Sequence, residues 1–431
     1  MSIQKQKVIV QETNPKKAGE PKQKIPIHWR EKAPIDLINF RTFGSITKGL
    51  LTLTIFAFIQ PFINRILGFQ CVYDWLPHIS RLPLTYTNWW RLTYLFPIAS
   101  LGTFFSWYFK KQYLKGQVSR AFLNKVSLIT LFVLPFQLFL LRPKIFNVWA
   151  GLFLALFVMS VTFKSFSYIQ VLFEHLDKSK NETEKEKVRD QHRTHGSIKE
   201  FWEYLVRPWL IYELDPPRTE KRNYFEILKL VAMIFLAQTV IGISVSVGFQ
   251  VIYKTESPWK NLVPNLMCLG VPSFMLWASA FVQFFHGVLT LCAEITRYGP
   301  RGFYSDWWNK NTLKMFWRDW NRPVNFFAIK YIYLPCKRVG LSSNLSGIIV
   351  FVISGLLHEY LLWGMFGNWN YWVFIIFVGQ PVTMMIEKKL SARQIKIMGE
   401  LLKILTFFGG LAFIEIFYIR KYLKFHPEHL P

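Results

Sequence analysis

The sequence predicts an all-α membrane protein, a single polytopic bundle of about nine transmembrane helices. Of its 431 residues, 52% are apolar and 18% are aromatic, and the mean hydropathy is positive. The apolar residues gather in runs near the ~20 residues that cross a bilayer core, and the charges lie in the gaps between runs. Soluble domains rarely combine these properties. The net charge of +26 therefore indicates a membrane surface, and we expect no nucleic-acid partner.

Two domains of unequal character follow from the composition. Residues 1–45 are polar and rich in Lys, Gln, Glu and Pro, and they predict a disordered basic tail. Residues 46–431 predict a membrane-embedded domain with nine apolar runs. The runs are 49–67, 92–109, 126–141, 145–169, 225–249, 264–293, 344–363, 369–386 and 400–418. The sixth run is long, and we expect it to tilt or to kink at Pro272.

The distribution of Lys and Arg predicts on which side of the membrane each loop lies. If the N-terminus is cytosolic, most of the 52 Lys and Arg fall on the cytosolic side. Cytosolic loops carry an excess of basic residues. The sequence therefore predicts a cytosolic N-terminus, nine spans, and a cytosolic position for the long amphipathic loop 294–343.

Two adjacent ionisable residues, His358 and Glu359, lie within the seventh run. A carboxylate at the centre of a membrane helix costs about 2.5–3.5 kcal/mol on insertion scales, so such residues usually have a function. A neutral imidazole can take a proton from an alcohol, which makes His358 a candidate general base. Ser354 lies one turn earlier on the same face. Glu359 points about 100° away, where it could pair with a helix that carries Gln380 or His286.

The same residues have other interpretations. His358 could be a buried, hydrogen-bonded structural histidine. An intramembrane His and Glu also mark proton paths in transporters, although no internal repeat supports a transporter. The four cysteines have no spacing typical of a zinc site, and His358 is not part of a zinc-protease motif. We expect no metal.

An aromatic segment, FYSDWWN, occupies Phe303–Asn309, and Trp317 and Trp320 follow it. One interpretation is an interfacial belt, in which Trp and Tyr lie at the level of the lipid headgroups. The stretch after it mixes basic and aromatic residues and can lie flat in the interface. Its basic residues could also meet the phosphates of an acyl donor or of lipids.

Three segments together resemble the acyl-CoA:sterol and acyl-CoA:diacylglycerol O-acyltransferase branch of the membrane-bound O-acyltransferase superfamily. They are FYSDWWN, WNRPV at Trp320–Val324 and SGLLHEY at Ser354–Tyr360, in the order that the family has them. The segment Tyr212–Thr219 is similar to an upstream box of the family. The resemblance covers residues from about 197 to 386.

The resemblance implies that the protein transfers a fatty acyl group from coenzyme A to a lipid hydroxyl in the endoplasmic reticulum membrane, without a cofactor. His358 matches the catalytic base, and Asn321 matches an asparagine that would help to hold the thioester or its oxyanion. Glu359 and Gln380 match polar residues on the acceptor side. The residues expected to bind substrate are Phe303, Tyr304, Asp306, Trp307, Trp308, Asn309, Trp320, Asn325, Glu359 and Gln380. The family tends to form dimers or tetramers, so we expect a homo-oligomer.

The chain departs from the family pattern at two places. Asn325 stands where the family often has His, and Gly410 lies where the last helix often has a polar residue, for which Glu415 is a candidate substitute. The acceptor is open between diacylglycerol and a sterol. Tyr212-Glu-Leu, the Pro of WNRPV and the ungapped spacing from Tyr333 to His358 resemble the diacylglycerol branch, whereas Pro-Pro-Arg-Thr resembles the sterol branch. We prefer diacylglycerol. A catalytically inactive family member remains a further alternative.

Overall fold

The computed structural model describes residues 89–142, 148–253 and 257–425. Within these ranges the regular structure is helical, and strand pairing is limited to one isolated bridge between Arg218 and Tyr298. The predicted all-α class is confirmed. The predicted tail 1–45 and the predicted run 49–67 lie outside the described residues.

The helices are numbered here in chain order. They are α1 Leu92–Leu101, α2 Phe104–Leu114, α3 Arg120–Leu141, α4 Val148–Lys178, α5 Glu182–Thr194, α6 Ile198–Val206, α7 Tyr224–Tyr253, α8 Leu262–Phe281, α9 Leu289–Ile295, α10 Leu313–Trp320, α11 Arg322–Ala328, α12 Leu334–Arg338, α13 Ser343–Phe366, α14 Trp372–Glu387, α15 Ala392–Ile404 and α16 Leu411–Phe425. Three π-helical turns, Val282–Val288, Ile329–Tyr333 and Leu405–Gly410, join α8 to α9, α11 to α12 and α15 to α16.

Each predicted run in the described part of the chain has a helical counterpart. Five stretches are long and apolar enough to cross a membrane, namely α3, α4, α7, α13 and Leu262–Ile295, and α14 is shorter but apolar. Three runs differ from the prediction. The last run, 400–418, is divided between α15, the π-helical turn Leu405–Gly410 and α16. The run 92–109 is divided between α1 and α2, and the sixth run stays helical through Pro272 and turns π-helical ten residues later.

Small residues bring α4 and α13 close together, and this contact positions His358. A Cβ on Gly151 would lie 2.3 Å from the carbonyl oxygen of Gly364, so only glycine permits this approach. Arg142, at the end of α3, donates hydrogen bonds to the carbonyls of Gly364 and Met365, at 2.5 and 3.0 Å. The C-terminal half of α13 is therefore held from two sides.

The outer faces of the bundle carry exposed apolar side chains. Phe132 and Phe136 on α3, and Phe235 and Leu236 on α7, are each at least 60% exposed. Helices that cross a bilayer satisfy their backbone internally and can present such side chains to lipid. The protein is therefore a multi-pass membrane protein.

Candidate active site

A cavity of about 430 Å³ lies among α8, α10, α13, α14 and α16. Lys310, Thr312 and Glu387 line one end of it, beside the long loop that follows α9. Phe366 and Ile419 line the other end. The cavity is thus polar at the loop end and apolar inside, which fits a ligand with a polar head and a long hydrocarbon chain.

His358 faces this cavity from α13. Its Nδ1 lies 2.7 Å from the backbone carbonyl of Ser354 and 3.5 Å from the Ser354 hydroxyl, and its ring stacks on Phe377 at 4.0 Å. A carbonyl can only accept, so in the neutral ring the proton is on Nδ1. Nε2 then keeps a lone pair and can accept a proton.

Gln380 lines the cavity from α14, one turn after Phe377. Its side-chain oxygen accepts a hydrogen bond from the indole of Trp317 at 3.3 Å. Trp317 also packs against Phe377 and Phe351. Gln380 is therefore in place to meet a ligand, and its predicted role on the acceptor side stays a prediction.

Glu359 does not line the cavity, and its predicted role in substrate binding stays a prediction. The residue is 1% exposed. One carboxyl oxygen accepts hydrogen bonds from the backbone N–H groups of Asn370 and Tyr371, at 2.8 and 2.7 Å, and the other accepts from the Tyr418 hydroxyl at 2.6 Å. Glu359 thus ties α13 to the start of α14 and to α16. The sequence predicted that this side chain turns away from His358 and pairs with a helix that carries Gln380 or His286. The partner helix α14 does carry Gln380, but Glu359 bonds backbone groups at the start of that helix. The third partner, Tyr418 on α16, was not predicted.

Three residues of the FYSDWWN segment are part of a buried aromatic cluster, and their predicted role in substrate binding stays a prediction. Phe303, Tyr304 and Trp307 are 1%, 1% and 7% exposed, and the Tyr304 hydroxyl pairs with Nδ1 of His286 at 2.8 Å. Trp320 also packs into this cluster and reaches the cavity wall. These three residues of the segment therefore pack behind the cavity wall, whereas Trp320 is part of that wall.

The polar residues of the segment act on the cavity mouth through Lys310. Asp306 contacts Lys310 at 2.6 Å, and Asp319 lies 3.4 Å from the same ammonium group. Burial raises the pKa of Asp319, but the hydrogen-bonded Arg318 and nearby Lys310 outweigh it and leave that pKa lowered. These carboxylates hold Lys310 at the edge of the cavity.

Trp308 and Asn309 are not among the residues that line the cavity. Trp308 packs against Trp307, and Asn309 is exposed and closes a short turn onto Asp306. Their predicted role in substrate binding is not supported by this position.

Asn321 and Asn325 also lie outside the cavity wall. The side-chain oxygen of Asn321 accepts a hydrogen bond from the Val324 N–H at 3.2 Å and caps α11. Asn325 is half-buried on α11, a helix whose Phe327 stacks on Phe163 of α4. The catalytic role predicted for Asn321 stays a prediction.

A sequence model of the MBOAT, membrane-bound O-acyltransferase family, matches residues 128–388, more than half of the chain. The chain belongs to this family. It is 26% identical to Diacylglycerol O-acyltransferase 1 of Bos taurus, over 80% of this chain and 80% of the relative. It is 29% identical to the protein of that name from Chlorocebus aethiops, over 61% of this chain and 62% of the relative. It is 28% identical to the protein of that name from Dictyostelium discoideum, over 54% of this chain and 38% of the relative.

The predicted family is confirmed, and the structure adds residues to its site in this chain that sequence reasoning missed. Lys310 follows FYSDWWN directly and could have been noticed by its position. Glu387 closes the cavity mouth by accepting from the Leu313 N–H at 2.9 and 3.2 Å. Ser273 gave no signal, because serine is common in membrane helices. It donates a hydrogen bond to Glu415 inside the cavity.

Proposed function

We propose that this membrane-bound O-acyltransferase transfers a fatty acyl group from acyl-CoA to the hydroxyl of a diacylglycerol, which gives triacylglycerol and free coenzyme A. The observation that carries the proposal is the imidazole of His358, with Nδ1 held by the Ser354 carbonyl, on the wall of a mostly apolar cavity. The relatives from Bos taurus and Chlorocebus aethiops are named diacylglycerol O-acyltransferases, which supports diacylglycerol as the acceptor.

The proposed reaction is a direct transfer. Nε2 of His358 takes the proton of the acceptor hydroxyl as the oxygen attacks the thioester carbonyl carbon. The carbon–sulfur bond then breaks, and the leaving thiolate takes the proton from the imidazolium. The hydrogen bond from Nδ1 to the Ser354 carbonyl keeps the ring in one orientation and stabilises its positive charge between these steps.

The cavity supports this chemistry in two further ways. Its apolar wall keeps water from the thioester, so that the lipid hydroxyl is the nucleophile. Each buried methylene of the acyl chain contributes about 0.8 kcal/mol to binding. Lys310 at the mouth suits the anionic coenzyme, which we place on the cytosolic side of an endoplasmic reticulum membrane.

The first experiment replaces His358 by alanine and measures transfer from labelled oleoyl-CoA to dioleoylglycerol in membranes from cells that lack this activity. We expect transfer to fall by about 10²–10⁴-fold, because the general base is removed. His195→Ala is the matched control, since His195 lies on the surface beside Glu200 and outside the cavity. Normal turnover by His358→Ala at equal expression would contradict the proposal.

A second experiment settles the acceptor. The wild-type protein is offered dioleoylglycerol or cholesterol with the same labelled oleoyl-CoA, and the products are separated. We expect labelled triacylglycerol. If the label enters only the steryl ester, the acceptor is a sterol and the choice of diacylglycerol is wrong.

A further inference from the structure

An open basic recess lies where α7 begins, and the reaction described above does not use it. Residues 220–224 form one side of the recess, and Arg297, which follows α9, forms the other. Two more of its residues, Lys221 and Arg222, are cations, and Glu220 is its single carboxylate. None of its lining residues lines the large cavity. The recess is thus a separate part of the surface with an excess of positive charge.

Backbone contacts hold the two sides of the recess together. The N–H of Thr219 donates to the carbonyl of Arg297 at 2.8 Å, and the N–H of Gly299 donates to the carbonyl of Pro217 at 2.8 Å. Arg297 has a left-handed backbone with φ of 55°, which is strained for arginine. Such strain persists only where the surrounding contacts fix it, and it often accompanies a binding site. The shape of the recess is therefore preformed.

The cations of the recess are held in place but keep donors for a ligand. Arg222 donates from Nε to the carbonyl of Ile295 at 2.8 Å, which leaves its two Nη groups without a partner among the described residues. Arg297 donates from one Nη to the backbone carbonyl of Glu220 at 3.1 Å. Neither arginine, nor Lys221, forms an ion pair within the described ranges. Arginine suits phosphate because its fork of N–H groups can bind two oxygens at once.

The recess lies at the level of the lipid headgroups. The 30 residues of α7 extend about 45 Å, whereas the hydrocarbon core of a bilayer is about 30 Å thick. Glu226 and Lys229 pair at 3.5 Å, so the first two turns of α7 carry charges that suit the interface. Tyr224 and Phe225 are 74% and 76% exposed, as expected of aromatic side chains that contact lipid there. A ligand in the recess would therefore have hydrocarbon beside it.

We infer that the recess binds the phosphate of an anionic phospholipid, whose acyl chains lie along Tyr224 and Phe225. Lys221, Arg222 and Arg297 surround the phosphate oxygens. A zwitterionic choline lipid fits less well, because its own cation would lie beside three others. A soluble phosphate shares the charge but lacks the chains, so it would gain nothing from the exposed aromatic side chains. The bound lipid would join the start of α7 to the segment that follows α9.

The test measures lipid binding to the purified full-length protein in detergent by native mass spectrometry. The probes are dioleoylphosphatidylglycerol and dioleoylphosphatidylcholine. We expect the wild-type protein to retain phosphatidylglycerol in preference, and added salt to weaken that binding. Lys221→Gln and Arg222→Gln should each weaken it by about 5-fold, the effect of one basic residue at a membrane surface, without a change for phosphatidylcholine.

Lys221→Gln is the cleaner variant, because the Lys221 side chain forms no hydrogen bond with the described residues and its loss leaves the loop intact. Lys221→Arg keeps the charge and should bind within about 2-fold of the wild-type protein. The matched controls are Lys187→Gln and Lys199→Gln, which remove exposed cations outside the recess. They should bind phosphatidylglycerol as the wild-type protein does.

Four results would overturn the inference. The recess variants could bind phosphatidylglycerol normally, or the controls could lose as much binding, which would mean a diffuse effect of surface charge. Full displacement by an equal concentration of glycerol 3-phosphate would make the ligand a soluble anion. Displacement by oleoyl-CoA would make the recess part of the donor site. Because all four are binding results, they are independent of whether the protein acylates diacylglycerol.

Discussion

Replacing Glu359 by leucine should destabilise the bundle, because Glu359 joins three helices from a fully buried position. Its carboxyl group accepts hydrogen bonds from the N–H groups of Asn370 and Tyr371 and from the Tyr418 hydroxyl. Leucine has a similar volume but accepts none of them, so three donors lose their partner. Tyr371, just before α14, has a left-handed backbone with φ of 65°. This strained conformation is unfavourable for tyrosine, and the hydrogen bond from the Tyr371 N–H to Glu359 helps to hold it.

The size of the effect follows from these three donors. Each buried group left without a partner costs about 1–3 kcal/mol, and such costs are less than additive within one network. We therefore expect a loss of about 3–5 kcal/mol, similar to that for breaking other buried polar networks. At about 2 °C per kcal/mol for a large chain, the Tm of Glu359→Leu should fall by roughly 6–10 °C.

The assay is thermal unfolding in detergent, followed by the loss of the folded peak in size-exclusion chromatography. Glu359→Gln should lose only about 1 kcal/mol, because the amide oxygen still accepts from the loop and the Tyr418 hydroxyl can turn to accept from the amide. Gln380→Leu, on the cavity wall, is the matched control and should lower activity with little change in Tm. An unchanged Tm in Glu359→Leu, together with a loss of activity, would refute the structural role and support the predicted role in substrate binding.

Two further predictions concern residues outside the membrane-spanning segments. Asn321→Asp should keep the Tm, because aspartate also caps a helix. If the amide N–H of Asn321 holds the thioester, the same variant should lower kcat/KM by at least about 10-fold. An unchanged kcat/KM would mean that Asn321 acts only as a helix cap. Burial lowers the pKa of His192 to about 2, so the folded protein excludes a proton that the unfolded chain binds below about pH 6.5. The contribution of His192 to stability is thus complete above that pH and declines below it, by at most about 1.4 kcal/mol per pH unit. The Tm should fall between about pH 7.5 and about pH 5.5, and His192→Phe should flatten that slope; an equal slope in the variant would contradict this account.

The helices were predictable because a bilayer requires long apolar runs, and length and composition are visible in sequence. His358 was predictable for the same reason, since an ionisable residue stands out within such a run. The roles of neighbouring residues were harder to predict. Glu359 and the aromatic residues Phe303 and Tyr304 are close to the site in sequence, but their function depends on which way each side chain points. The partners of Glu359 come from α14 and α16, and no local pattern reveals them.

The π-helical turn Leu405–Gly410 has a consequence for comparing this chain with its relatives. A π-helical turn holds about one residue more than an α-helical turn, so it rotates everything after it by the angle of one residue. The face that α16 presents to the cavity, with Glu415 on it, is set by that insertion. Relative to a helix without this turn, every residue after Gly410 faces a direction shifted by one position. A polar side chain that is missing at Gly410 can thus be replaced in space by one from the next turns of the helix.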